Sequence, residues 1–249
     1  MLSLIVPYRH SEKMAKRLKY FLQSVEHQDV EKEIILVNYI EPYPEKIKGI
    51  KFINAKPIKF INESAVFFHQ SYCNNVGALN SKGDIVLFTN ADVIFAPGSF
   101  KATIEWIEKE DAFVSMFVWY SNEETWQKIE SGKYDIIYNF NDILLNSELN
   151  ELQAPRAAYQ AISRNNFNKL GGYDVDMWGW GAEEYEFYMR VKKAGIKIIH
   201  SKKYPCVHLW HEPNWGPHHP RRGGINGLNM QAIRHKTGIW RHPLNGSYR

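Results

Sequence analysis

A succession of short apolar runs, each too short for a buried helix, constrains this chain more than any other feature. Leu2-Ser3-Leu4-Ile5-Val6 is stopped by Pro7, and Ile34-Ile35-Leu36-Val37, Ile50-Lys51-Phe52-Ile53 and Ile85-Val86-Leu87-Phe88-Thr89 follow it. Between the first two, Met14, Leu18, Phe21, Leu22 and Val25 recur at the spacing of one helix face. A second helical stripe, Ala65, Phe68, Tyr72, Val76 and Leu79, predicts a helix over 64–79, ended by Lys82-Gly83 before the fourth run. Turn-rich Glu41-Pro42-Tyr43-Pro44 separates the second and third runs. Strand, helix and strand in this order build βαβ units, so the chain is predicted to be α/β, with a mostly parallel central sheet flanked by helices. Its 249 residues suit one large domain and are short for two.

Downstream, Pro97-Gly98-Ser99 opens another helix and 112–118 reads as a strand. The stretch 119–155 mixes polar residues with scattered aromatics and reads as loops and short helices over the sheet. A strand at 157–163, a helical turn at 165–170 ended by Gly171-Gly172, and a helix at 183–194 follow. Two last strands are predicted at 196–199 and 206–209. They lead into a Pro-, Gly- and His-rich segment, 211–224, that reads as a mobile lid over the ligand.

The net charge of +4 is spread along the chain and gives no electrostatic footprint for nucleic acid. The exception is 213–249, which has no acidic residue and carries Arg221, Arg222, Arg234, Lys236, Arg241 and Arg249. It reads as a solvated basic tail, able to make peripheral contact with an anionic membrane surface. Cys73 and Cys206 are too few and too far apart for a disulfide framework or a zinc site, which suits a reducing compartment. With no signal-peptide pattern and no apolar run of spanning length, the expectation is a cytoplasmic protein.

Three segments carry chemistry. Asn90-Ala91-Asp92 follows a buried strand, at the carboxyl edge where open α/β sheets bind ligands, and a carboxylate there suits a hard divalent cation. Trp178-Gly179-Trp180-Gly181-Ala182-Glu183-Glu184 sets two acids at a helix start behind flexible glycines and two Trp. A flat Trp stacks on a sugar ring while a neighbouring carboxylate accepts a hydroxyl proton. Cys206-Val207-His208-Leu209-Trp210-His211 brings two imidazoles to a strand end, where one or both complete a cation's coordination.

These segments, with Ile5-Val6-Pro7-Tyr8-Arg9-His10 and Asn75-Val76-Gly77, stand in the order seen in the β-1,4-galactosyltransferase family, which the chain resembles from residue 2 to about 212. Glu183-Glu184-Tyr185-Glu186-Phe187 with Arg190 is also similar to a segment of bacterial chondroitin-type polymerases and polypeptide N-acetylgalactosaminyltransferases. The resemblance implies a Rossmann-like GT-A fold, with a nucleotide-binding half at 1–100, an acceptor half at 101–212, and the lid and tail at 213–249. It implies that Pro7, Tyr8 and Arg9 hold the uridine and diphosphate, with Asn75 and Asn90 also on the donor side. Asp92 is implied as a metal ligand, His208 or His211 as another, Glu184 as catalytic base, and Trp180, Glu183 and Tyr185 as acceptor contacts. The cofactor is then Mn²⁺ or Mg²⁺, the donor a UDP-sugar, and the acceptor a glycan or glycolipid. Three departures stand out: Asn90 replaces an Asp, Gln70 replaces an Arg, and Tyr185 replaces a third acid.

The expected reaction is inverting transfer of galactose or N-acetylgalactosamine to a sugar hydroxyl. Two alternatives are a retaining N-acetylgalactosaminyltransferase-like enzyme and a non-catalytic carbohydrate-binding module on the same fold.

Overall fold

The first four apolar runs become β1 (Leu2–Tyr8), β2 (Lys32–Tyr39), β3 (Ile50–Ala55) and β4 (Ile85–Thr89). In the computed structural model, which describes residues 1–56, 68–149, 158–177 and 183–212, they lie in the order β3-β2-β1-β4, all parallel. Successive side chains point to opposite faces, and both faces are covered, so the runs are apolar at nearly every position. Leu2, Leu4 and Val6 pack with Leu18, Phe21 and Val25 of α1 (Glu12–Glu26), whose first turn is capped by Ser11. Ile5 faces the other way, against Cys73 and Ala78 of α2 (Gln70–Leu79).

Helix α2 begins at Gln70, later than the stripe predicts; residues 57–67 lie outside the described residues. His69 sets the start, since its Nδ1 accepts from the Tyr72 amide at 3.4 Å while Nε2 bonds the Val175 carbonyl at 3.0 Å. The Asn75-Val76-Gly77 motif has a packing explanation. A Cβ on Gly77 would fall on the Ile5 methyl, so only glycine lets α2 lie this close to β1.

The second half of the sheet differs from expectation. After β5 (Val93–Phe95), a strand the sequence did not announce, come α3 (Ser99–Glu110) and β6 (Phe113–Ser121). The polar stretch that follows folds into α4 (Glu123–Glu130), α5 (Phe140–Leu145) and β7 (Ser147–Leu149). Then come β8 (Tyr159–Ser163), α6 (Arg164–Leu170), α7 (Glu183–Lys193) and β9 (Ile198–His208). The full order is β3-β2-β1-β4-β8-β6-β9-β5, with β7 on β6. β8 runs antiparallel to β4 and β6, β7 antiparallel to β6, and β5 antiparallel to β9, while β9 is parallel to β6. The sheet is therefore mixed rather than mostly parallel.

The two predicted last strands are one strand of 11 residues. Exposed Lys202 and Lys203 interrupt its apolar pattern but not its ladder, which shifts register against β6 between Met116 and Val118. Helices α4 and α5 are tied down by Trp126, Ile129, Phe140 and Ile143, which pack on Ile94, Val207 and Leu209 at the β5–β9 end. Among the described residues no helix is long and apolar enough to cross a membrane.

Candidate metal and catalytic site

The β5–β9 pairing assembles the first cluster. Val93 lies opposite His208, and the Leu209 amide donates to the Asp92 carbonyl at 2.8 Å, so the residue before β5 and the residues ending β9 are locked together. His208 Nε2 lies 3.4 Å from Asp92 Oδ1, and His211 Nε2 lies 3.7 Å from Asp92 Oδ2. One ligand atom from each residue falls within 4.8 Å of the others. Two neighbouring ligand atoms on bonds of about 2.2 Å sit about 3 Å apart in an octahedral shell, so a small inward adjustment seats a cation. Asp92 is only 4% exposed, and its Oδ1 accepts no hydrogen bond. A buried carboxylate oxygen left without a donor costs free energy unless a cation takes its place. One carboxylate and two imidazoles suit a divalent cation of intermediate hardness such as Mn²⁺.

The imidazoles are prepared as ligands. His211 Nδ1 bonds the Glu212 carbonyl at 3.0 Å, which assigns the proton to Nδ1 and the lone pair to Nε2, facing Asp92. Burial lowers the pKa of His208, opposed by the Asp92 charge and assisted by His211 and Arg17, so the ring is held neutral. Tyr120 stacks on it, with centroids 5.0 Å apart. Both imidazoles that the sequence left as alternatives therefore face the same carboxylate.

The second cluster is built at the start of α7. Glu184 Oε1 accepts from Gln70 Nε2 at 3.3 Å, and the same nitrogen reaches Asn90 Oδ1 at 3.5 Å. Gln70 thus links the Glu184 carboxylate to the loop carrying Asp92. Gln160 on β8 donates to the Glu184 carbonyl at 3.1 Å and accepts from the Tyr173 hydroxyl at 2.6 Å, fixing the helix start. Burial pushes the Glu184 carboxyl well above the usual carboxylate range, the Glu183 charge adds to this, and the Gln70 hydrogen bond partly offsets it. Glu183 is buried beside it. Further along α7, Arg190 grips Glu186 with two nitrogens, at 2.5 and 2.6 Å, and donates to the Leu170 carbonyl at 2.7 Å, pinning α7 to α6.

The other predicted residues divide. Pro7 and Tyr8 end β1 in the buried sheet, with the Tyr8 hydroxyl 3.3 Å from His10 Nδ1. Arg9 is exposed and paired with Glu41 at 2.7 Å. Asn75 joins two elements of the fold. It is 1% exposed, its nitrogen donates to the Tyr173 carbonyl at 2.9 Å, and its oxygen accepts the Tyr173 amide at 2.8 Å. That oxygen would also lie 2.6 Å from a Cβ at Gly172, which explains the glycine at this left-handed position. Asn75 therefore ties α2 to the loop after α6. Tyr185 stacks on Tyr188 at 6.3 Å. Trp180 and the segment 213–249, with the proposed lid and basic tail, lie outside the described residues.

A sheet of this order, with a two-His, one-Asp cluster at the strand ends and the Glu184 carboxylate linked to the same loop, is a GT-A-type fold able to hold a divalent cation beside a base. The chain belongs to the glycosyltransferase-like family 2, whose pattern matches residues 3–214. Mouse (Mus musculus) chondroitin sulfate N-acetylgalactosaminyltransferase 1 is 22% identical over 219 residues, covering 85% of this chain and 41% of that protein. A shorter stretch, 87 residues, is 29% identical to rat (Rattus norvegicus) β-1,4-galactosyltransferase 4, covering 32% of this chain and 22% of that protein. The chain thus spans less than half the length of these curated relatives. Among solved structures, GalNAc-T7 with UDP, GalNAc and Mn²⁺ superposes with a TM-score of 0.61 at 15% identity, covering 93% of this chain and 48% of that one. A mannosyltransferase from Pyrobaculum calidifontis with GDP-Man and Mn²⁺ gives 0.56 at 16% identity, covering 97% and 65%.

Proposed function

We propose that this protein transfers galactose or N-acetylgalactosamine from a UDP-sugar to a hydroxyl of a glycan acceptor, with inversion at the anomeric carbon. The observation that carries the reading is the bridge from Glu184 through Gln70 to Asn90, two residues from Asp92. It holds a carboxylate of raised basicity within one side chain of the cation ligands. Asp92, His208 and His211 would hold the cation, which when bound offsets the charge of the departing diphosphate. Glu184 takes the proton of the incoming hydroxyl, and its desolvated, Glu183-repelled carboxylate is a stronger base than one in water. In this reading Asn90 and Pro7-Tyr8-Arg9 serve the donor, and Tyr185, Glu183 and Trp180 serve the acceptor. The long match to a chondroitin N-acetylgalactosaminyltransferase supports N-acetylgalactosamine as the first donor to try.

A retaining reaction is the second reading, favoured by the superposition on GalNAc-T7 over most of the chain. Product analysis separates the two. The protein is incubated with Mn²⁺, a panel of sugar acceptors and either UDP-N-acetylgalactosamine or UDP-galactose, with GDP-mannose as a control. A β-linked product from the α-linked UDP donor is expected. An α-linked product would transfer the assignment to the retaining reading, and turnover with GDP-mannose alone would remove the UDP-sugar.

A further inference from the structure

One cation on the core side of α1 has no place in the helical stripe that predicts the helix. Arg17 is 5% exposed, among Leu18, Phe21 and Val25, on the face that packs inward. Its guanidinium lies 5.3 Å from the Trp126 ring of α4. Nη1 donates to the Lys13 carbonyl one turn back at 3.0 Å, and Nε donates to the Trp210 carbonyl at 3.1 Å. Burying a guanidinium is costly, and a helix face that needed only packing would carry Leu or Met here.

The Trp210 carbonyl belongs to the peptide that joins Trp210 to His211. At the residue's other end, the Trp210 amide donates to Ser121 Oγ at 2.8 Å, and the preceding amide, of Leu209, is held by the Asp92 carbonyl at 2.8 Å. Among these three anchors, the last before His211 is the bond from Arg17. β9 ends at His208, so the sheet ladder no longer fixes the backbone at His211.

We propose that Arg17 is a positioning residue of the cation site, clamping the Trp210–His211 peptide so that the His211 imidazole meets the ion together with Asp92 and His208. Its planar guanidinium, wedged against Trp126 and its own helix, transmits the position of α1 to a ligand that β9 alone leaves unsupported. Two predictions distinguish this clamp from a charge effect. A buried cation near Asp92 repels a divalent ion, so charge alone would make loss of Arg17 tighten Mn²⁺ binding. A clamp acting through His211 makes its loss weaken binding, and only while His211 is present.

The inference rests on the cation site and not on the sugar, nucleotide or stereochemistry, so the test uses Mn²⁺ alone, read by electron paramagnetic resonance of free and bound ion. Arg17→Met is expected to weaken Mn²⁺ binding about tenfold or more, the scale of a lost outer-shell support. Arg17→Lys, which keeps the charge but not the planar fork, weakens it in the same direction. His211→Ala weakens it as well, and Arg17→Met combined with His211→Ala is no weaker than His211→Ala alone. In a His208→Ala background, Arg17→Met retains its full effect. Unchanged or tighter binding in Arg17→Met, or full multiplication of its effect with that of His211→Ala, overturns the clamp while leaving the cation site standing. If His211→Ala itself leaves Mn²⁺ affinity untouched, the ligand assignment and the clamp fall together. Should Arg17→Met not fold, the Lys variant alone and in the His211→Ala background carries the same comparison.

Discussion

Asp92, His208 and His211 on one side, and Glu184 on the other, are both groups of acids and bases at the end of the sheet, yet they are held in opposite ways. The cation cluster is fixed by main chain: the β5–β9 ladder, the Leu209 amide on the Asp92 carbonyl, and Ser121 and Arg17 on the two ends of Trp210. A negative charge and two lone pairs converge there, so an added cation relieves it. The Glu184 site gathers like charges, with Glu183 adjacent and a neutral amide donor on the carboxylate. One region gains by binding, and the other stays poised by the repulsion of its neighbouring carboxylate. Stability and chemistry are thus separated across a single glutamine.

Asp92→Ala offers the severest challenge to this contrast. It should abolish Mn²⁺-dependent affinity for UDP, measured by calorimetry, because the two imidazoles lose their common carboxylate. Metal-dependent affinity equal to that of the parent would remove Asp92 from the site.

Glu184→Gln is expected to lower transfer by roughly 10²-fold or more with UDP affinity nearly intact, since Gln keeps the shape and cannot take a proton. It should also raise the melting temperature. A carboxyl whose folded pKa is raised above its unfolded value contributes most below the unfolded pKa, and that contribution disappears as pH rises through the folded pKa. At neutral pH the ionised form therefore costs stability, and the gain from Gln is larger at pH 7 than at pH 4. The same shift predicts that kcat/KM rises with pH along an acid limb lying above the ordinary carboxylate pKa of about 4.3. A limb at the ordinary value, or a variant less stable than the parent, would mean that Glu184 is not under this strain.

Asn75→Ala should have the smallest effect on chemistry. It orphans the buried Tyr173 amide and carbonyl, so a loss of about 1–3 kcal/mol in denaturant unfolding is expected, with Mn²⁺ affinity preserved. If UDP affinity falls while stability does not, Asn75 returns to the donor side.

The parallel start of the sheet was legible because short, nearly unbroken apolar runs and one clear helical stripe leave few alternatives. Asp92 and both histidines were legible from their places at strand ends. Strand β5 was not, since three residues carry no periodicity, and its existence depends on pairing with β9 far along the chain. Arg17 in sequence looks like one more exposed base on an amphipathic helix, because its partner Trp210 is distant. Gln70 was visible only as a departure from the family pattern; its bridge between Asn90 and Glu184 needs the fold. The packing role of Asn75 was not visible in sequence, because the backbone groups of Tyr173 that bond its two polar atoms lie 98 residues away. Glu186 and Arg190 could have been paired from their i, i+4 spacing.

The ligands at positions 92 and 208 also close a long loop of chain. An ion seated between them acts as a removable cross-link, fastening the tip of the parallel half to the last strand of the mixed half. Closing so long a loop in an unfolded chain is entropically unfavourable, and the pre-paired β5–β9 ladder has already met that requirement. Ion affinity therefore reports how well the β5–β9 edge is joined, and a chelator should loosen that edge before it disturbs β1 to β4.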